Sequence, residues 1–147
     1  MNGRTGLLSL LFCLPLLMCA GPASAGTEPM RVKVDFGKAG EAIVLLDDND
    51  AARNFYAMLP LELSFEDFNG TEKIATLPEK LSFGSSPTSC DPEKGSFTYY
   101  IPWRNIAVFY RDFRPSRNLV PLGSVVRGMD LFAGQKGDFS VRIERAE

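Results

Sequence analysis

Apolar and polar side chains alternate with period two in several short stretches of the chain, a pattern that predicts β-strands. The clearest stretches are the first and the last, Met30–Phe36 and Asp138–Glu144. Further strands are predicted at Glu41–Leu46, Leu61–Phe68, Glu72–Thr76, Ser96–Ile101, Asn105–Tyr110 and Leu119–Val126, with a short one at Lys80–Phe83. Turn residues such as Asn69-Gly70 predict antiparallel hairpins. Roughly eight such strands favour a closed antiparallel barrel, because closure removes exposed sheet edges.

One clear helix interrupts this series. The side chains of Asp47–Asp50 offer oxygens that can cap free backbone N–H groups, and a helix is predicted from Asp50 to Leu59, where Pro60 ends it. Its apolar stripe consists of Ala51, Phe55, Met58 and Leu59. Such a stripe is most simply a face that packs on the sheet. A second, short helical turn is predicted at Gly128–Phe132.

The first residues have the layout of a secretory signal peptide. Arg4 precedes an uncharged apolar stretch, Leu7–Ala20, and small residues at Ala23 and Ala25 fit a signal peptidase site. The stretch is shorter than the ~20 apolar residues that a membrane-spanning helix needs. A buried N-terminal helix and a lipoprotein modified at Cys19 are the alternatives. We therefore predict a signal peptide at residues 1–25 and one domain at residues 26–147, exported to the periplasm or the extracellular space without a stable membrane anchor.

Composition excludes several classes of function. The chain carries 16 basic and 18 acidic residues and no histidine, for a net charge of −2. Because the basic residues are scattered, the sequence does not predict a nucleic-acid partner. The absence of histidine removes the commonest metal ligand and the usual neutral-pH general base, so no metal and no cofactor are predicted.

Cysteine chemistry is equally restricted. Cleavage of the signal peptide would remove Cys13 and Cys19, which leaves Cys90 alone and allows no internal disulfide. Cys90 lies in a proline- and serine-rich connection, Leu77–Gly95, without a base to activate it. We interpret it as a loop thiol rather than a nucleophile.

The order of motifs resembles that of cyclophilins. A helix carrying Asn54-Phe55 follows the opening hairpin, and Gly123, Val125, Gly128 and Met129 match a family pattern near the end. The resemblance is closer to compact bacterial and archaeal cyclophilin-like proteins, whose middle is similar to Gly95–Trp103, and it covers nearly all of Met30–Glu144. It implies a mainly β fold: a closed eight-stranded antiparallel barrel with one main and one short helix, and a ligand groove on the outer face.

The resemblance also bears on catalysis. Cyclophilin isomerases use an arginine on the strand after the first helix, yet the corresponding region here, Leu61–Leu81, contains no arginine, and Lys73 is a poor replacement for a guanidinium fork. The family's Phe-x-x-Gln-Gly-Gly-Asp signature is absent, and the histidine that flanks its proline pocket would align near Leu119. One groove aromatic is retained as Phe109.

These observations favour a binding module for a peptide or small ligand, without efficient catalysis. The candidate binding residues are Tyr99, Tyr100, Trp103, Arg104, Phe109 and Arg111. Aromatic side chains at this density can stack on a ligand, and the place of Trp103 in a turn predicts its exposure. The alternatives are a peptidyl-prolyl isomerase, for which Arg104 or Arg111 would have to reach the groove, and a structural or assembly factor of the cell envelope.

Overall fold

The computed structural model describes residues 26–147, and the predicted signal peptide, with Cys13 and Cys19, lies outside the described residues. The described residues form ten strands: β1 Arg31–Asp35, β2 Glu41–Leu46, β3 Leu61–Phe68, β4 Glu72–Thr76, β5 Ser89–Cys90, β6 Ser96–Tyr100, β7 Asn105–Phe109, β8 Ser116–Arg117, β9 Leu119–Arg127 and β10 Phe139–Arg145. The helices are α1, Asp50–Met58, and α2, Met129–Ala133, and a 3-10 turn covers Gly37–Ala39.

Eight of the strands close into an antiparallel barrel. Around the barrel they follow the order β1, β10, β3, β4, β7, β6, β9 and β2, and β2 returns to β1. The remaining two, β5 and β8, form a separate two-stranded sheet. The predicted fold, a mainly β closed eight-stranded antiparallel barrel with one main and one short helix, is confirmed.

The barrel interior follows from the period-two alternation. On β1, Val32 and Val34 are fully buried, and on the paired strand β2 so are Ala42 and Val44. Aromatic rings fill one region of the interior, where Phe132 of α2 lies 5.8 Å from Phe65 of β3 between ring centroids. Since side chains two residues apart share a face of a strand, the same alternation sends every second side chain outward.

Helix α1 begins and ends close to its predicted bounds. Asn49 caps it by accepting a hydrogen bond from the Ala52 backbone N–H at 2.9 Å, and the helix ends at Met58, one residue before the prediction. Phe55 is fully buried, with its ring 5.5 Å from that of Phe97 on β6. Within residues 26–147 no helix is long and apolar enough to cross a bilayer.

The connection between β4 and β6 differs from the prediction. The expected strand at Lys80–Phe83 is absent, because backbone groups in this stretch bond to side chains instead of to a neighbouring strand. The Leu81 N–H donates to the Tyr99 hydroxyl at 3.3 Å, and the Ser82 carbonyl accepts from the Asn54 side chain at 2.9 Å. The structure forms a strand later in the connection, at β5.

The outer face of β4, β7, β6 and the start of β9 carries a second apolar cluster, separate from the barrel interior. Ile74, Ala107, Phe109 and Leu119 are its buried members. An apolar surface on the outside of a barrel is exposed to water unless another part of the chain packs over it. The segment that follows β7 extends over it and forms one side of the site described next.

Candidate ligand-binding cleft

A cleft of about 480 Å³ opens over this outer face, within the size range of small-ligand sites. We call it the outer cleft. It is bordered by the β3–β4 turn around Asn69, by Trp103 of the β6–β7 turn, and by the segment Phe113–Arg117, while β4 and β7 contribute Glu72, Asn105 and Phe109. The outer cleft thus joins three separate parts of the chain over one face of the barrel.

Aromatic rings form much of the lining. The Trp103 ring meets those of Phe68 and Tyr100 edge to face, with centroid distances of 5.2 and 5.5 Å. On the other side, Phe113 lies 6.0 Å from Phe109. Trp103 is 51% exposed, a large fraction for an indole, so its ring offers an open apolar surface to a ligand.

Asn105 contributes a polar atom without a partner. As the first residue of β7 it is paired with Thr76 and Tyr100 through the backbone, and its side chain lines the cleft. Asn105 is only 3% exposed, and among residues 26–147 its Oδ1 finds no hydrogen-bond donor. A buried acceptor without a donor costs about 1–3 kcal/mol, so this oxygen would gain from a ligand that supplies an N–H or O–H.

Glu72 places a carboxyl group in the same cleft. It lies at the start of β4, opposite Phe109 of β7. Burial raises the pKa of Glu72 to about 7, and no basic side chain of the described residues forms an ion pair with it within 4.0 Å. Near neutral pH the group is therefore divided between a hydrogen-bond donor and an anion.

This raised pKa predicts a pH-dependent stability. The free carboxyl titrates at 4.5 and the folded one at about 7, so the unfolded chain loses its proton first and the fold loses stability as pH rises from 4.5 to about 7. Glu72→Gln removes this loss. We expect the variant to be more stable than the parent by about 1 kcal/mol near pH 8, an amount reduced for partial solvent access, and equally stable near pH 4.

Urea denaturation at the two pH values measures this effect. Glu66→Gln on β3, an exposed glutamate outside the outer cleft, is the matched control and should leave the free energy of unfolding unchanged at both. A Glu72→Gln variant that gains nothing at the higher pH would show that burial of the carboxyl is not costly.

Two arginines line the outer cleft, Arg114 and Arg117. The Arg114 guanidinium stacks on the Phe113 ring, 4.6 Å from its centroid. Arg117 belongs to β8, where it pairs with Ser89 of β5. Neither arginine forms an ion pair within the described part of the chain. The cleft therefore carries two arginines without an ion-pair partner beside its aromatic lining.

The structure separates the six candidate binding residues into two groups. Tyr100, Trp103 and Phe109 line the outer cleft, and the exposure of Trp103 agrees with its place in a turn. Tyr99 is fully buried in the barrel interior, where its hydroxyl accepts from the Leu81 backbone. Neither Arg104 nor Arg111 lines the cleft.

These two arginines have other surroundings. Arg104 adopts a left-handed backbone conformation with φ of 53°, and its carbonyl accepts from the Leu77 N–H. The Arg111 guanidinium lies 6.0 Å from the centroid of the Tyr110 ring. The route to an isomerase that relied on these two side chains therefore has no support in the cleft geometry.

Lys73, on β4 in the region where the resemblance to cyclophilins implies an arginine, points away from the outer cleft. Its side chain is 3% exposed, and Nζ donates to the Gln135 carbonyl at 2.8 Å and pairs with Asp67 at 3.1 Å. Nζ also lies 5.3 Å from the centroid of the Tyr110 ring. Lys73 is thus committed to a network at one end of the barrel and is not available to a ligand.

Cys90 is half-buried, and burial is the first cause that raises its pKa to about 11, followed by the charges of Asp91 and Asp47. At neutral pH the group is a thiol and a weak nucleophile, although Cys90 lies on the short strand β5 and not in the predicted loop. Across residues 26–147 no three cysteine, aspartate or glutamate side chains are grouped so as to hold a metal ion.

Comparison with known proteins identifies the family to which the chain belongs. Residues 35–144 match the model of the Cyclophilin-like family, and the chain belongs to that family. Among solved structures it is similar to the solution structure of a hypothetical protein from Archaeoglobus fulgidus, with a TM-score of 0.64 and 22% identity, over 84% of this chain and 100% of that chain. At this identity the likeness shows the fold alone. No curated protein matches the sequence.

Proposed function

We propose that the protein is an exported cyclophilin-like module that binds a peptide in the outer cleft without efficient catalysis. Export is supported by the charged, apolar and small-residue order of residues 1–25. Peptide binding is supported by the aromatic rings of the cleft, which can seat an apolar side chain, and by its unsatisfied acceptor. Weak catalysis is supported by the missing strand arginine and by the commitment of Lys73 to Asp67 and Gln135.

The single observation that carries the proposal is the Oδ1 atom of Asn105. Native proteins pair nearly all of their buried polar groups, and this buried oxygen lacks a donor although its residue is one of those that line the cleft. A peptide supplies backbone N–H groups at regular spacing beside its side chains. It can therefore pair Oδ1 while an apolar side chain contacts Trp103, Tyr100 or Phe68.

Trp103 makes this testable, because it is the only tryptophan in the sequence. We expect the neutral peptide N-acetyl-Phe-Ala-amide to change the tryptophan fluorescence of residues 26–147 in a saturable way. Asn105→Leu should weaken binding about tenfold, since the hydrogen bond to the ligand is lost. The same change should leave the fold as stable as before or more stable, because it removes an unsatisfied buried oxygen.

Asn54→Ala is the matched control, because that asparagine lies on α1 outside the outer cleft and bonds to Ser82. Its affinity for the peptide should equal that of the parent. Saturable binding that Asn105→Leu leaves unchanged would place the ligand elsewhere, and the absence of any binding would refute the proposal.

Prolyl isomerisation is the second candidate function, favoured by one specific observation. Arg114 and Arg117 reach the outer cleft from the segment after β7, and a guanidinium aimed at a prolyl nitrogen would weaken its amide conjugation. A protease-coupled isomerisation assay separates the two functions. If the protein only binds its ligand, the isomerisation rate should not exceed the uncatalysed background. A rate that Arg114→Ala or Arg117→Ala abolishes would favour the isomerase.

A further inference from the structure

We infer that the outer cleft selects peptides that carry a carboxylate, which Arg114 and Arg117 hold while Asn105 accepts a backbone N–H and the aromatic rings contact an apolar side chain. This inference rests on the proposed function and specifies its ligand. The carboxylate can be the C-terminus of the peptide or an acidic side chain, and the two sources are distinguished below.

Arg114 and Arg117 have no ion-pair partner among the described residues, unlike several other arginines on the barrel. Arg53, Arg127 and Arg142 each pair with a carboxylate of the protein itself. Arg114 and Arg117 have no such partner within 4.0 Å among residues 26–147, although Asp91 borders a shallow depression next to Arg117. A guanidinium presents a planar set of donors that fits a carboxylate, so a pair of them at one cleft favours an anionic group.

The segment that carries these arginines is held in place by hydrogen bonds. The Phe113 N–H donates to the Pro92 carbonyl at 2.9 Å, and the Lys94 N–H donates to the Asp112 carboxylate at 2.9 Å. Strand β8 then pairs with β5, which fixes Arg117 opposite Ser89. Because the backbone of the segment is anchored before any ligand arrives, less ordering is required of the protein on binding.

The aromatic surroundings complete the recognition. Phe113 supports the Arg114 guanidinium at 4.6 Å, which limits the positions that this long side chain occupies beside the cleft. Within residues 26–147, Glu72 is the one acidic residue that lines the cleft, and it lies on β4 rather than on the arginine segment. Peptides with an apolar side chain next to a carboxylate match this arrangement better than neutral or basic peptides do.

The test compares three probes by Trp103 fluorescence with residues 26–147: N-acetyl-Phe-Ala with a free C-terminus, N-acetyl-Phe-Ala-amide and N-acetyl-Phe-Asp-amide. We expect the free C-terminal peptide or the aspartyl peptide to bind about tenfold more tightly than the neutral amide at low salt, and this advantage should shrink as salt screens the exposed arginines. Whichever of the two binds more tightly identifies the source of the carboxylate.

The double variant Arg114→Gln/Arg117→Gln should abolish the advantage of the charged peptides, so that all three probes bind this variant with about the same affinity. Arg31→Gln is the matched control, because Arg31 is exposed, unpaired with any carboxylate of the described chain, and on β1, across the barrel from β7. Equal affinity for all three probes would refute the inference while the proposed function stands. Failure of every probe would refute both.

Discussion

Gly123→Ala should destabilise the protein by about 3 kcal/mol, the largest effect that we expect from a single methyl group. Gly123 lies on β9 opposite Leu46 of β2. A Cβ atom built at this position would overlap the Leu45 carbonyl oxygen and come 2.8 Å from the Leu46 Cα. Both contacts are with backbone, so the strands would have to separate where β2 and β9 join.

Chemical denaturation of the variant measures this cost. Gly137→Ala is the matched control, because nothing lies within 4 Å of the added atom and the backbone does not adopt a positive φ there. It should change the free energy of unfolding by less than about 0.5 kcal/mol. A Gly123→Ala variant as stable as the control would mean that the β2–β9 contact can widen without loss.

Asp67→Ala should have the second largest effect, about 2 kcal/mol. The Asp67 carboxylate accepts from the Tyr110 hydroxyl at 2.7 Å and pairs with the nearly buried Lys73 at 3.1 Å. Removal of one member of such a pair leaves the other charge without its partner. We expect a smaller cost than for a fully buried pair, because the Asp67 side chain is 42% exposed. Water that enters at this position can partly solvate the Lys73 ammonium group after the carboxylate is removed.

A double-mutant cycle and a pH series test this interpretation. Lys73→Met removes the charge that needs a partner, so Asp67→Ala should cost less in the Lys73→Met background than in the parent. The Tyr110 hydrogen bond, followed by that of Lys73, holds the pKa of Asp67 below its usual range. The stability that it contributes is therefore complete above about pH 4 and is lost as pH falls through the lowered pKa. Additive costs, or a constant difference across this range, would contradict the pairing.

Much of the barrel could be predicted from the sequence, because several of its strands alternate with period two, as β1 and β10 do, and its turns use glycine and asparagine. The same alternation could not separate Tyr99 from Tyr100. Both are aromatic, and which one faces inward depends on the pairing of β6 with β7 and β9. Only that pairing buries Tyr99 and turns Tyr100 to the outer cleft.

Four polar residues of the cleft were not predicted from the sequence, and the reasons differ from that for Tyr99. Arg114 and Arg117 lie in a segment without periodicity, and they are placed by the pairing of β5 and β8, each only two residues long. Glu72 and Asn105 lie at the starts of strands, where polar residues usually face solvent. The aromatic density around Trp103 was the available signal. It points to the cleft, whereas the positions of the polar groups that would select a ligand depend on the pairing of strands that are distant in sequence.

The two ends of the barrel chain leave from neighbouring strands. Strand β1 pairs with β10, and the Ala146 N–H donates to the Arg31 carbonyl at 3.0 Å. In the order of strands around the barrel, β1 stands opposite β7. A fluorescent protein or a solid support joined near either end would therefore sit behind the molecule and leave the mouth of the cleft unobstructed, and a short linker between the ends would permit a circularly permuted chain.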